Sequence, residues 1–242
     1  MKRTLDVILS LAGLLVAAPV LLPVMALVFL QDGHSPFYIA PRVARGGGVF
    51  RMVKLRSMVV NADRSGVDST AASDPRITPL GQFIRRYKLD ELTQLWNVLK
   101  GDMSLVGPRP NVRRETDLYT GEERRLLGVR PGITDIASIV FADEGDILKH
   151  EADPDLAYNQ LIRPWKSRLG LFYVERASLA LDLRLIWITA KAILSRDSAL
   201  ADVVRLLDRM GADADLVRVA GRHDRLVPHP PPGASEVVTS RG

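Results

Sequence analysis

From Val7 to Leu30 the chain runs 24 residues without a charge, preceded by Lys2, Arg3 and Asp6. At ~1.5 Å per residue such a run is long enough to cross a ~30 Å hydrocarbon layer. Pro19 and Pro23 fall in its middle, each removing a backbone donor and favouring a kink. Arg42, Arg45, Arg51, Lys54 and Arg56 follow the run as densely as Lys2 and Arg3 precede it, so the positive-inside tendency draws both ends to one side. The pattern predicts a re-entrant helix-break-helix over residues 1–32, with the break at Pro19. A cleaved signal peptide would have a shorter apolar stretch and a small-residue cleavage site. A plain spanning anchor would leave the downstream bases on the wrong side.

β-Branched and aromatic residues on either side of Gly46, Gly47 and Gly48 predict a hairpin with a glycine turn within Pro36 to Met58. Asn61 to Pro79 is polar and rich in turn formers, the pattern of a surface loop. Between Arg85 and Pro110, Leu89, Leu92, Trp96 and Leu99 recur at three- and four-residue spacing. They predict a central amphipathic helix with Asp90, Gln94 and Asn97 on a neighbouring polar face. Gly121 to Leu127 reads as helix, Pro131-Gly132 as a turn, and the acidic residues of 143–155 as a solvated loop rather than a metal site. Leu169 to Leu194 is apolar but too often interrupted by charge to span, so it reads as a buried or interfacial helix. Beyond Arg196, one helical pattern (Val203 to Met210) precedes His229-Pro230-Pro231-Pro232-Gly233, which predicts a poorly ordered terminus. The expected fold class is α+β and mainly helical: a re-entrant N-terminal membrane helix, a small β-hairpin, the central helix and interfacial amphipathic helices.

Charge and composition narrow the chemistry. A formal net charge of +5 and a pI near 9.7 favour an anionic partner: a membrane surface, nucleic acid or a phosphorylated small molecule. The absence of cysteine excludes disulfides, thiolate catalysis and Cys-ligated zinc, and the 4 histidines are scattered. An oxygen-loving cation such as Mg²⁺ is the metal this composition could serve. Arg85, Arg86 and Lys88 lie within about one turn before Asp90, so a phosphate there would meet positive charge and a carboxylate together. A divalent cation would reconcile the two. Pro108 and Pro110 bias Gly107 and Arg109 towards extended backbone, so the Arg109 guanidinium leaves a rigid chain, as bidentate phosphate recognition requires.

Leu89-Asp90-Glu91-Leu92 and the run from Gln94 to Pro110 (QLWNVLKGDMSLVGPRP) resemble the bacterial sugar transferase family of monotopic phosphoglycosyl transferases. Val53 to Met58 (VKLRSM), Asp74 to Thr78 (DPRIT) and Val129 to Thr134 (VRPGIT) extend the likeness over about residues 1–195. The resemblance implies an enzyme on the cytoplasmic face of the bacterial inner membrane that moves a sugar-1-phosphate from a UDP-sugar to undecaprenyl phosphate, releasing UMP, and starts a polysaccharide or glycoconjugate. It implies Asp90 as the covalent nucleophile and Glu91 as its partner around Mg²⁺. By position, Lys54, Arg85 and Arg109 are the phosphate ligands. Membrane lipids are expected partners, nucleic acid is not, and a homo-oligomer is left open. The expected units are residues 1–32 in the membrane, 33–195 as a catalytic domain on its surface, and 196–242 as a partly disordered extension. Two departures stand out. Ala18-Pro19 occupies the place of a Ser-Pro pair, and residues 135–142 read DIASIVFA where many relatives carry a GWAQVNGR motif. The rival readings are a prenyl-diphosphate phosphohydrolase and an inactive membrane-anchored interaction protein.

Overall fold

The structure, a computed structural model, describes residues 1–62 and 74–240. Helix α1 (Lys2–Asp32) is followed by strands β1 (Phe37–Val43) and β2 (Val49–Leu55), then α2 (Pro79–Arg86), α3 (Leu89–Leu92) and α4 (Leu95–Lys100). Strand β3 (Ser104–Val106), α5 (Arg113–Asp117), a 3-10 turn (Glu123–Gly128) and strand β4 (Gly132–Thr134) come next. The chain ends in α6 (Ile136–Val140), α7 (Glu144–Ile147), α8 (Pro154–Ala157), α9 (Arg163–Arg176), α10 (Leu179–Leu194), α11 (Arg196–Arg209) and α12 (Ala214–Gly221). The mainly helical class with one antiparallel hairpin is as expected. Much of the polar loop over 61–79 lies outside the described residues.

Helix α1 runs without interruption through Pro19 and Pro23, in place of the expected break at Pro19. Each proline removes one bond, and the intact neighbouring bonds carry the helix past it. Both ends are tied to the same body. Lys2 Nζ donates to Asp182 Oδ2 at 2.5 Å and to Val106 O at 3.1 Å, and Asp6 accepts from Ser104 Oγ and the Leu105 amide. At the far end Arg56 donates to both Asp32 oxygens, at 2.5 and 2.7 Å. Between these anchors Leu21, Val24 and Val28 pack on Leu55, Ile84 and Leu89. The opposite face, with Leu15, Val16, Leu22 and Leu30, is apolar and uncovered.

Strands β1 and β2 pair antiparallel from Phe37↔Leu55 to Val43↔Val49, and Gly46 and Gly47 adopt the positive φ that the turn needs. Phe50 and Met52 point inward onto Val98 and Met103. The free edge of β2 is closed by side chains of the central segment. Asn97, fully buried, accepts from the Val53 amide at 2.8 Å and donates to Arg51 O at 2.7 Å, while Thr93 Oγ1 donates to Val53 O. Asn97→Ala strands the part-buried Val53 N–H and Arg51 C=O, together costing about 1–3 kcal/mol. Its thermal midpoint in detergent is expected to fall by several degrees, whereas Trp96→Ala on the exposed side should leave it nearly unchanged.

The single amphipathic helix expected around Asp90 is instead α2, α3 and α4 in succession. Lys88, at φ 55°, ends the first and redirects the chain. The buried side is also different: Leu95, Val98, Gln94 and Asn97 face inward, and Trp96 is 54% exposed. Asn97 is buried because it supplies hydrogen bonds to the β2 edge, whereas the side-chain amide of Gln94 is buried without a partner among the described residues.

Strands β3 and β4 pair in parallel (Ser104↔Gly132, Val106↔Thr134). A single apolar core joins α6, α9 and α10 to Ala199, Leu200, Val203, Leu206, Leu207, Leu216 and Val219 of α11 and α12. Residues 196–221 therefore complete the core rather than trail from it. The proline-rich tail lies against α9: His229 stacks on Trp165 with centroids 4.5 Å apart, and Arg168 donates to Pro230 O. Prolines hold this stretch extended at little entropic cost and leave its carbonyls as acceptors. Acidic residues in 143–155 are paired rather than merely solvated: Asp143 with Arg196 and Arg222, Glu144 with Lys166, Asp155 with Arg114.

Candidate active site

Lys88 sets the geometry. Its left-handed backbone, which costs a non-glycine residue roughly 1 kcal/mol, restarts the chain so that Asp90 and Glu91 sit in the first turn of α3 beside β2. Lys54, next to last in β2, brings Nζ to 4.0 Å from Asp90 Oδ2. Glu91 is held from the other side: its two oxygens accept from Arg109 at 3.0 and 3.1 Å, a bidentate pair. The same guanidinium donates to Ile133 O at 2.6 Å. The Gly107 amide donates to Thr134 O and Pro108 O accepts from the Gly132 amide, so β4 stiffens the Pro108-Arg109-Pro110 loop along with its prolines. The structure thus brings Lys54, Asp90, Glu91 and Arg109 into one row. Arg85 stands to one side, its Nε donating to Ser57 Oγ at 3.0 Å, within electrostatic reach of Asp90.

The two adjacent carboxyls have opposite environments. Burial pushes Asp90 above the usual aspartate range, and Lys54 only partly offsets it. Burial pushes Glu91 up as well, but the charges of Arg109, Lys88 and Lys54 and the Arg109 hydrogen bonds outweigh it and hold the carboxyl at about 2. Desolvation lowers Lys54 below an ordinary lysine, against the pull of Asp90. Asp90 is therefore the more basic carboxylate and makes no hydrogen bond through its side chain among the described residues, whereas Glu91 is committed to Arg109. A reaction that needs Asp90 ionised should show one acid limb, displaced above the ordinary aspartate value, because the rate rises as pH climbs through the raised pKa. Initial rates across pH ~4 to ~9 test this; a limb at or below that value would contradict the assignment.

Sequence reasoning missed Thr93 and Asn97, three and seven residues beyond Asp90 and so on its own flank of a helix. That spacing was the one available signal. Thr93 Oγ1 also reaches Asp90 O at 3.1 Å, so these two residues lock β2, and with it Lys54, to the dyad. The divergent residues 135–142 begin α6. Asp135 caps it in a reciprocal pairing with Ser138, and Ile136, Ala137, Ile139 and Val140 are buried in the core.

The donors suit Mg²⁺ in kind: carboxylate oxygens, with no thiolate or imidazole beside them. Among the described residues no three His, Cys, Asp or Glu side chains converge on a metal site. Asp90 is the main available ligand, since Glu91 already gives both oxygens to Arg109, and water and substrate oxygens would fill the remaining positions.

The family model described as bacterial sugar transferase matches residues 1–196. The undecaprenyl-phosphate galactose phosphotransferase of Salmonella typhimurium is 35% identical over 214 residues, covering 82% of this chain and 41% of that protein. The UDP-galactose-lipid carrier transferase of Erwinia amylovora is 32% identical with the same coverage. The exopolysaccharide production protein ExoY of Sinorhizobium fredii is 34% identical over 81% of this chain and 87% of its own length. The chain thus spans about two fifths of the first two relatives and most of the third. With the matched region holding the whole Lys54–Asp90–Glu91–Arg109 row, the chain belongs to the bacterial sugar transferase family.

Proposed function

We propose that this protein transfers a sugar-1-phosphate from a UDP-sugar to undecaprenyl phosphate through a phosphosugar ester on Asp90, and so begins a lipid-linked glycan. The observation that carries the reading is the division of labour between the carboxyls, one basic and without a hydrogen-bonded partner among the described residues, the other neutralised by a fixed arginine. Asp90 Oδ attacks the sugar-linked phosphorus as the bond to the bridging oxygen breaks, and that oxygen departs with UMP. An oxygen of the lipid phosphate then attacks the same phosphorus and returns Asp90 as a carboxylate. Lys54, Arg85 and Arg109 place positive charge where the diphosphate must approach two acids. Mg²⁺, bound through Asp90 with Glu91 beside it, would supply further neutralisation of the diphosphate.

The membrane seat rests on three features. Helix α1 is long and apolar enough to cross a membrane, and only 22% of its most apolar window is buried against protein. Both of its ends are ion-paired to one body, which supports insertion from the cytoplasmic side over spanning. Helix α10 adds an uncovered apolar stripe at three- and four-residue spacing: Leu183, Trp187 (70% exposed), Ala190 and Leu194 (90% exposed). The names of the relatives support the lipid phosphate as acceptor. The test is UMP release and intact-protein mass from purified protein given UDP-sugars and Mg²⁺. A phosphosugar adduct that disappears on adding undecaprenyl phosphate is expected. Absence of both adduct and UMP with every common donor overturns the proposal, and free phosphate without a nucleotide sugar would indicate a phosphohydrolase.

A further inference from the structure

A second basic site lies where the matched region ends, at the start of α11 and the end of α12. A cleft of about 420 Å³ is lined by Arg196, Asp197, Leu200, Val204, Arg205 and Arg222, with Ala201, Gly221 and His223 completing its wall. It opens at the first turn of α11, where unpaired amides and the helix dipole favour an anion.

The arginines there are under-compensated. Arg196 and Arg222 share one carboxylate, Asp143, at 2.8 and 3.2 Å. Arg205 and Lys191 share Asp202, each at 2.5 Å. With Asp197 on the rim, four cations face three carboxylates. The Nε groups of Arg196 and Arg222 are buried and have no hydrogen-bond partner among the described residues. Arg222 also holds φ 56° at the end of α12, a position where glycine avoids the Cβ penalty. A residue kept there in spite of strain, with its guanidinium laid over Phe141 and its Nε unsatisfied, is placed by more than the needs of the turn. Leu200, Ala201 and Val204 give the cleft an apolar floor.

We infer that this cleft binds a phosphate group carried on a small organic body, separate from the Asp90 site. Arg196 and Arg222 would satisfy the phosphate oxygens, Arg205 would close over them, and the apolar floor would take the remainder. Two sources share that chemistry: a soluble phosphate ester, and the headgroup of an anionic lipid. The second is within reach because Arg196 lies two residues beyond Leu194, which ends the uncovered stripe of α10.

Hydrogen exchange by mass spectrometry on the full chain reads the cleft locally and so separates it from phosphate binding at the dyad. The probes are pyrophosphate and UMP in neutral detergent, and bilayer discs of phosphatidylcholine with and without phosphatidylglycerol. Protection of peptides from residues 196–205 and 217–224 by the soluble probes assigns a phosphate ester. Protection only in discs containing phosphatidylglycerol assigns a lipid headgroup. Arg205→Glu, exposed and outside the core, should weaken either effect about tenfold while UMP release from the donor alone stays unchanged. Arg196→Gln should do the same without disturbing Arg222. No protection by any probe, or protection that survives both substitutions, overturns the inference.

Discussion

Asp90→Asn is expected to abolish the phosphosugar adduct and to lower turnover by roughly 10³-fold or more, about 4 kcal/mol of transition-state stabilisation. The amide is nearly isosteric but has no lone pair of comparable basicity to offer phosphorus. The fold should survive it, because the Asp90 side chain makes no hydrogen bond among the described residues and its ion-pair contact with Lys54 is a long one, at 4.0 Å. Burial already disfavours the charge at this position, so the thermal midpoint of Asp90→Asn should be equal to or above that of the native chain. The decisive readout is intact-protein mass after incubation with the donor. An adduct that persists in Asp90→Asn removes Asp90 as nucleophile, and full turnover without one removes the covalent mechanism.

Gly132→Ala should be among the most damaging single methyls in the described chain, beside Gly81→Ala, whose Cβ would stand 1.8 Å from Ser57 O. A Cβ built on Gly132 would stand 2.1 Å from Gly107 N and 2.4 Å from Gly107 O, both backbone atoms that no side-chain rotation can move. The contact is reciprocal, since a Cβ on Gly107 would meet Arg130 O at 2.5 Å. Relief requires β3 and β4 to separate, and these strands position the Pro108-Arg109-Pro110 loop. The expected cost is about 3 kcal/mol or more of stability, with about 10²-fold lower activity in whatever folds, because Arg109 and its hold on Glu91 move together. Gly121→Ala is the matched control: among the described residues nothing lies within 4 Å of its Cβ. Thermal melts and donor turnover of the two variants decide it. Equal behaviour would show that the strand crossing does not control the site.

The chemistry-bearing residues were legible in the sequence because they are local. Asp90 and Glu91 are adjacent, Arg109 sits between two prolines, and the uncharged run of residues 7–30 needs no partner to be recognised. The hairpin was legible for the same reason, since its turn requires the backbone freedom of Gly46 and Gly47. The tail was misread because a proline-rich stretch looks unable to fold alone, whereas here Trp165 and Arg168 supply the surface it lies on.

Local pattern alone thus determined the long apolar helix, the acidic dyad and the stiffened arginine, each set by covalent geometry or by a short run of side chains. Tertiary structure decided which faces are buried and which charges meet. Periodicity marks Trp96 as core and Asn97 as surface, but the open edge of β2 needs hydrogen bonds that only Asn97 and Thr93 can give, so the order is reversed. The unequal characters of Asp90 and Glu91 are likewise absent from the sequence. They arise because Lys54 arrives at 4.0 Å from one carboxyl while Arg109 closes bidentately on the other, and that distance and geometry exist only once β2, α3 and β4 have packed together.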